Sequence, residues 1–117
     1  MSDRYSRLFA EYARFVSYKD LSTDTIHQVK RRIVDSIGVA MAGFPEDAPK
    51  VVRAFAADFS NVKGATVWGT GFKAFPDVAA FSNGVALRYL DFNDTYLSKE
   101  PLHPSDMITG LIALCEW

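Results

Sequence analysis

The sequence contains very little cysteine, and this limits the sites that it can build. Cys115 is the single cysteine among 117 residues and lies within an apolar run. A disulfide within the chain is therefore excluded, and so is a four-cysteine zinc or iron–sulfur site made by this chain alone. Low cysteine content without disulfides is typical of proteins in reducing compartments, so we expect a cytoplasmic location.

Long hydrophobic runs and a marked excess of either charge are also missing. The longest candidate for a membrane span, residues 33–44, is interrupted by Asp35 and Ser36, whereas a spanning helix needs about 20 apolar residues. The N-terminal segment carries acidic and basic side chains throughout, unlike a secretory signal. Thirteen basic and fourteen acidic residues leave a net charge of −1, which provides no overall attraction to nucleic acid. We expect neither nucleic-acid nor membrane partners.

The sequence does contain apolar residues at helical spacing. Hydrophobic residues make up 49% of the chain, enough for one buried core but not for two. Spacings of three and four residues predict helices at about residues 3–17, 21–42, 47–59, 78–90 and 104–117. Residues 65–74 are partly β-branched and rich in glycine, which predicts a small strand or hairpin. The predicted fold class is all-α, a multi-helix bundle with one small hairpin.

The fourth predicted helix contains a competing signal. Asn83-Gly84 between apolar runs is typical of a β-hairpin turn. The apolar residues around this dipeptide, however, are three and four positions apart and do not alternate strictly. The period favours a helix, in which Gly84 would allow a neighbouring backbone to approach closely.

The fifth predicted helix reaches Glu116-Trp117 without a Gly, Asn or Pro terminator. An unterminated helix with apolar faces predicts that further chain or a partner packs against it. We therefore expect either that the sequence is truncated or that a partner chain covers these apolar faces.

A polar stretch, residues 91–106, separates the last two predicted helices, and we name it the polar loop. It contains carboxylates, an amide, hydroxyls, an ammonium and one of two histidines. Asp91, Asp94 and Ser105 could simply cap the flanking helices. His103 and the carboxylates could hold a metal, although their spacing fits no established zinc or calcium pattern. In the third interpretation His103 transfers a proton and a neighbouring carboxylate and hydroxyl orient it or the substrate.

Four ordered motifs of this chain resemble the N-terminal part of the MmgE/PrpD family. They are WGTG at residues 68–71, AFSNGVA at 80–86, LDFNDT at 90–95 and HPSD at 103–106, and residues 29–43 also resemble the family's second helix. The family includes 2-methylcitrate dehydratase, cis-aconitate decarboxylase and iminodisuccinate epimerase. The resemblance covers most of the chain. It implies the beginning of a helical domain that, in full-length relatives, is several hundred residues long and is joined by a smaller α+β lid domain.

The resemblance also implies a chemistry and a set of residues. The activity would be that of a lyase, most simply a 2-methylcitrate dehydratase, which acts on a small polycarboxylic acid by acid–base chemistry without metal or cofactor and works as a homodimer. Asp91 and Thr95 would position and hydrogen-bond at the catalytic site, and His103 would transfer a proton. Asp94 and Ser105 also lie in the matching motifs and would bind the substrate, Asp94 in a supporting role. Apart from the resemblance, the ammonium of Lys99 could bind a substrate carboxylate. Other catalytic residues would lie outside this chain, so we expect the isolated chain to be inactive.

Two alternatives remain at this point. In the first, the chain belongs to a non-catalytic helical scaffold or interaction domain, and the polar loop caps helices and binds a partner. In the second, the parent protein decarboxylates or epimerises its substrate. His27 and the basic run Lys30-Arg31-Arg32 are expected to form a solvated face of the second helix.

Overall fold

Five α-helices and one small antiparallel hairpin make up the fold of residues 3–117, the part of the chain that this computed structural model describes. The helices are α1 (Arg4–Phe15), α2 (Thr23–Gly43), α3 (Asp47–Asp58), α4 (Pro76–Arg88) and α5 (Ile108–Glu116). Strands β1 (Ser60–Thr66) and β2 (Lys73–Ala74) form the hairpin between α3 and α4. Single turns of 3-10 helix at Tyr18–Asp20 and Pro104–Met107 precede α2 and α5. The predicted all-α bundle with one hairpin is confirmed.

Two predicted boundaries are shifted in the structure. Strand β1 begins at Ser60, ahead of the predicted strand at residues 65–74, and pairs with β2 through an irregular register. Ser60, Val62 and Lys63 are exposed, and the adjacent residues 64 and 65 are both buried. The apolar alternation that marks a half-buried strand is therefore missing. At the other end, residues 104–107 form a 3-10 turn before α5. Pro104 provides no backbone N–H, and a tight first turn tolerates this.

Helix α4 lies at the centre of the packing and contacts α2, α3 and α5. The buried core is built mainly from small residues in two clusters, one of Ala56, Ala65, Val67, Ala74, Ala79 and Ala113 and one of Ala40, Ala86 and Leu87. Trp68 packs against the second cluster. Because the polar loop leaves α4 and enters α5, two central elements fix its ends.

The close backbone approach predicted at Gly84 occurs elsewhere. A Cβ at Gly84 would meet only the Thr109 hydroxyl, at 3.4 Å. At Gly43, by contrast, a Cβ would overlap the carbonyl oxygen of Ala86. The prediction was therefore wrong about the position, since the crossing of α2 over α4, and not the contact of α4 with α5, requires a glycine.

The Asn83-Gly84 dipeptide lies within α4, which confirms the helix and excludes the hairpin turn. The Asn83 side chain is buried and bonds to the hairpin instead. Its Oδ1 accepts from the Trp68 N–H at 2.9 Å, and its Nδ2 donates to the Thr66 carbonyl at 2.9 Å. One amide thus satisfies two backbone groups and attaches the hairpin to α4.

The helices at residues 3–117 include none that is both long enough and apolar enough to cross a membrane.

Candidate functional site

The polar loop begins with a sharp turn at Asp91, just after α4. Asp91 has a φ of 54°, in the left-handed region that Asp adopts more readily than most non-glycine residues. Its N–H donates to the Arg88 carbonyl at 3.1 Å, and its Oδ1 accepts from the Arg88 guanidinium at 2.9 Å. The Asp91 side chain nevertheless remains 71% exposed. Arg88 therefore holds the Asp91 carboxylate on one side, and the other side is open to solvent.

Asp94 connects helix α2 with both ends of the polar loop. Its Oδ2 lies 2.5 Å from an Arg32 nitrogen, and its Oδ1 accepts from the Ser105 N–H at 2.9 Å. Burial raises the pKa of the Asp94 carboxyl, but hydrogen bonds from Ser105 and the charge and hydrogen bond of Arg32 outweigh burial. The net result is a pKa below the usual value, so Asp94 is ionised at neutral pH.

His103 is oriented by a backbone carbonyl. Its Nδ1 lies 2.8 Å from the Asp94 carbonyl oxygen, which can only accept a hydrogen bond. Nδ1 therefore carries the hydrogen, and Nε2 of the neutral imidazole has the free lone pair. The Thr95 hydroxyl approaches the same Nδ1 at 3.4 Å. The geometry favours a histidine that accepts or returns a proton at Nε2.

Behind these residues lies a buried polar contact between Asn93 and Ser105. The Asn93 Nδ2 donates to the Ser105 hydroxyl at 2.8 Å, and the Asn93 Oδ1 accepts from the guanidinium of Arg88. Asn93 is 5% exposed and Ser105 is fully buried. The Nε of Arg88 also lies 3.3 Å from a carboxylate oxygen of Asp106. Arg88 thus contacts the beginning and the end of the polar loop.

The middle of the polar loop forms a short excursion. Tyr96 and Leu102 pair as an isolated antiparallel bridge, with N–H···O distances of 2.8 and 3.1 Å. Residues 97–101 lie beyond this bridge and are exposed. Lys99 is among them, so its ammonium is outside the cluster formed by Asp94, His103 and Ser105.

Sequence comparison connects this geometry to a family. The family model described as "MmgE/PrpD N-terminal domain" matches residues 7–117. The chain belongs to the MmgE/PrpD family. The match includes the polar loop, both motifs on which the loop is built, and all helices except the first turn of α1.

Several named enzymes are similar to this chain. The 2-methylcitrate dehydratase of Salmonella typhimurium is 50% identical over 54 residues, which are 46% of this chain and 11% of that protein. The mitochondrial 2-methylcitrate dehydratase of Yarrowia lipolytica is 28% identical over 99% of this chain and 22% of its own length. The cis-aconitate decarboxylase of Mus musculus is 34% identical over 89% of this chain and 21% of its own length. The chain therefore spans less than a quarter of each of these relatives.

The structure brings together part of the predicted site. The LDFNDT and HPSD motifs meet where Asp94 and Thr95 contact the segment from His103 to Ser105. Asp91 is attached to this group through Arg88. Lys99 is not, because the Tyr96–Leu102 bridge separates the tip of the loop from its base. The predicted roles of these residues in catalysis and substrate binding stay predictions.

Arg32, Arg88 and Asn93 also contact residues of the site and were not predicted as site residues from the sequence. Arg32 lies in the basic run of α2 that was expected to be merely solvated, yet it bonds to Asp94 across 62 residues of sequence. The only sequence signal for Asn93 was its place inside the LDFNDT motif. Among residues 3–117 no group of three or more His, Cys, Asp or Glu side chains could hold a metal ion.

Proposed function

We propose that this chain forms one side of the active site of a cofactor-independent hydro-lyase, which dehydrates 2-methylcitrate or a similar small polycarboxylic acid. The observation that carries the proposal is the bond from His103 Nδ1 to the Asp94 carbonyl, which leaves Nε2 basic. Dehydration of a hydroxy-polycarboxylate needs a base for a carbon-bound proton, an acid for the departing hydroxyl, and donors for the substrate carboxylates. His103 is suited to one of the two proton transfers.

The other residues of the polar loop fit supporting roles around His103. Thr95 and the exposed carboxylate of Asp91 would position the substrate or a water molecule. Lys99, at the exposed tip, would attract a substrate carboxylate. Asp94 and Ser105 are already bonded to each other. We propose that these two act mainly by supporting His103, while direct substrate binding by either remains a prediction.

Similarity to named enzymes supports the substrate class. Relatives called 2-methylcitrate dehydratase align with this chain over 46% and 99% of its length. The similarity to mouse cis-aconitate decarboxylase, over 89% of the chain, favours decarboxylation as the second candidate. The two reactions differ in what leaves the substrate, water in one and carbon dioxide in the other, so product analysis distinguishes them.

The test is an assay of the whole protein with 2-methylcitrate and with cis-aconitate. We expect loss of water from 2-methylcitrate, and a fall in kcat/KM of about 10²- to 10⁴-fold in His103→Gln because a general acid–base group is removed. His27→Gln is the matched control, since His27 is the other histidine of the chain and is exposed on α2. Unchanged turnover in His103→Gln would contradict its role in proton transfer. A wild-type protein that converts neither acid would contradict the lyase.

Assembly and location are separate proposals. A homodimer and a cytoplasmic location remain predictions, which light scattering of the whole protein and cell fractionation would test. The isolated chain is expected to show no turnover, because it spans less than a quarter of the named relatives.

A further inference from the structure

Asn93 lies at a position where both ends of its amide have a defined partner. Its Oδ1 can only accept and is bound by the guanidinium of Arg88, while its Nδ2 can only donate and bonds to the Ser105 hydroxyl at 2.8 Å. At 5% exposure, little water competes for either bond. Arg88 therefore determines which way the amide faces, and the amide in turn determines where Ser105 lies.

Ser105 is bound by two consecutive residues of the LDFNDT motif. Asn93 binds its hydroxyl, and the Oδ1 of Asp94 accepts from its backbone N–H at 2.9 Å. His103 precedes Ser105 by two residues and donates from Nδ1 to the carbonyl of Asp94 at 2.8 Å. The His103–Ser105 segment is thus attached to residues 93–94 by three hydrogen bonds, and the bond from Asn93 is the most deeply buried of them.

Arg88 forms its ion pairs within the polar loop. Besides Asn93, the guanidinium contacts the Asp91 carboxylate at 2.9 Å and the Asp106 carboxylate at 3.3 Å. These two acids stand at opposite ends of the loop and offset one cation. Arg88 therefore holds the loop closed and is poorly suited to bind a substrate carboxylate.

We infer that Asn93, oriented by Arg88, is a positioning residue that sets the His103 imidazole for proton transfer through its bond to Ser105. This inference rests on the proposed function, in which His103 is the reacting group. Asn93 itself contacts no reacting atom in this scheme. Replacement of Asn93 should release the His103–Ser105 segment, so that the His103 ring adopts several orientations and both neutral tautomers. We expect this to lower kcat more than it raises KM.

The first experiment is a mutant cycle in the whole protein, with 2-methylcitrate as substrate and the variants Asn93→Ala, Ser105→Ala and the double variant. A misplaced catalytic group commonly costs on the order of 10²-fold in rate, so we expect kcat to fall about 10- to 100-fold while KM changes less than about threefold. Because both single variants break the same bond, the double variant should be no slower than the slower single variant. Multiplicative effects, or unchanged kcat in Asn93→Ala, would overturn the inference.

The second measurement needs no turnover and so separates this inference from the proposed function. Ring-¹⁵N-labelled histidine reports the protonation of Nδ1 and Nε2, and the His103 signals are assigned by their loss in His103→Gln. The wild-type protein should show the Nδ1–H tautomer, and Asn93→Ala should show a mixture. Identical His103 signals in both proteins would overturn the inference. The wild-type protein could prove inactive while Asn93→Ala still changes the tautomer of His103. That result would contradict the proposed lyase activity but support the positioning of His103 by Asn93.

Two further variants protect this test against misfolding. Arg88→Lys keeps a positive charge near Asp91 and Asp106 but lacks the planar guanidinium that binds Asn93, and its side chain is 38% exposed. It should also shift the His103 signals, and no shift would count against the inference. Asn61→Ala is the matched control, because the Asn61 Oδ1 accepts only a local bond from the Lys63 N–H at 3.0 Å. It should change neither kcat nor the His103 signals.

Discussion

Asp94 is the residue at which helix α2, the LDFNDT motif and the HPSD motif meet. Its side chain is 9% exposed, whereas that of Arg32 is 46% exposed. An ion pair with one exposed partner contributes little stability by itself, about 0–1 kcal/mol. The pair matters more for position, since it joins residues 62 apart in sequence and fixes the backbone that orients His103.

This arrangement predicts how stability depends on pH. The pKa of Asp94 is lower in the folded protein than its value of about 3.9 in an unfolded chain. The carboxylate therefore stabilises the fold fully above that unfolded value, and the contribution is lost as the pH falls through the folded pKa. At pH 7 we expect Asp94→Asn to lower the free energy of unfolding by about 1–3 kcal/mol. The difference from wild type should shrink in urea titrations as the pH falls below about 3.9.

The control for this experiment is Asp35→Asn, which removes an exposed carboxylate from the same helix that carries Arg32. It should change the free energy of unfolding by less than about 0.5 kcal/mol at pH 7. A loss of the same size in both variants would show that total charge, and not the contacts of Asp94, is responsible.

At the scale of elements, the crossing of α2 over α4 decides where the polar loop lies. The two helices meet through small residues, and the last residue of α2, Gly43, sits against the Ala86 carbonyl. Close approach of the backbones brings Arg32 of α2 within reach of a loop that begins after α4. A wider crossing would separate Arg32 from Asp94.

Two glycines of α2 give a matched test of this crossing. Gly43→Ala places a methyl group on the Ala86 carbonyl oxygen and should lower the free energy of unfolding by about 1–3 kcal/mol through overpacking. Gly38→Ala meets no atom within 4 Å and should raise it by about 0.5–1 kcal/mol through better helix propensity. Urea denaturation measures both variants. Equal effects with the same sign would contradict a close contact at Gly43.

Hydrophobic period in the sequence was sufficient to predict the five helices and the loop between the last two. Period reports which face of a helix is apolar, but it does not report which neighbour covers that face or how closely. For this reason the close contact was assigned to Gly84 and not to Gly43. The partners of Arg32 and Asn93 likewise depend on tertiary geometry, which brings distant polar groups together. The motif resemblance indicated His103 and Asp94 without indicating what holds them.

At the scale of the whole molecule, much apolar surface is uncovered among the described residues. The apolar stripe of α1 is present as predicted, yet Tyr5, Phe9 and Tyr12 are each at least 65% exposed. Helices α2 and α5 enclose an open groove of about 510 Å³ lined almost entirely by apolar side chains, among them Val29, Ile33, Ile108, Leu111 and Ile112. Contiguous apolar surfaces of this kind are rare on stable monomers and are typical of surfaces that pack against other protein.

We therefore expect the isolated 117-residue chain to self-associate and to bind a hydrophobic dye such as ANS. Leu111→Lys places a charge in the α2–α5 groove, where Leu111 is 57% exposed, and should reduce both the mass measured by light scattering and the dye fluorescence. Val62→Lys is the control, because Val62 is 92% exposed on β1, outside the groove. A monomeric chain that unfolds cooperatively and binds no dye would contradict this prediction. If both variants reduced the mass and the dye fluorescence equally, the added charge would act by general repulsion. The α2–α5 groove would then not be the surface that associates.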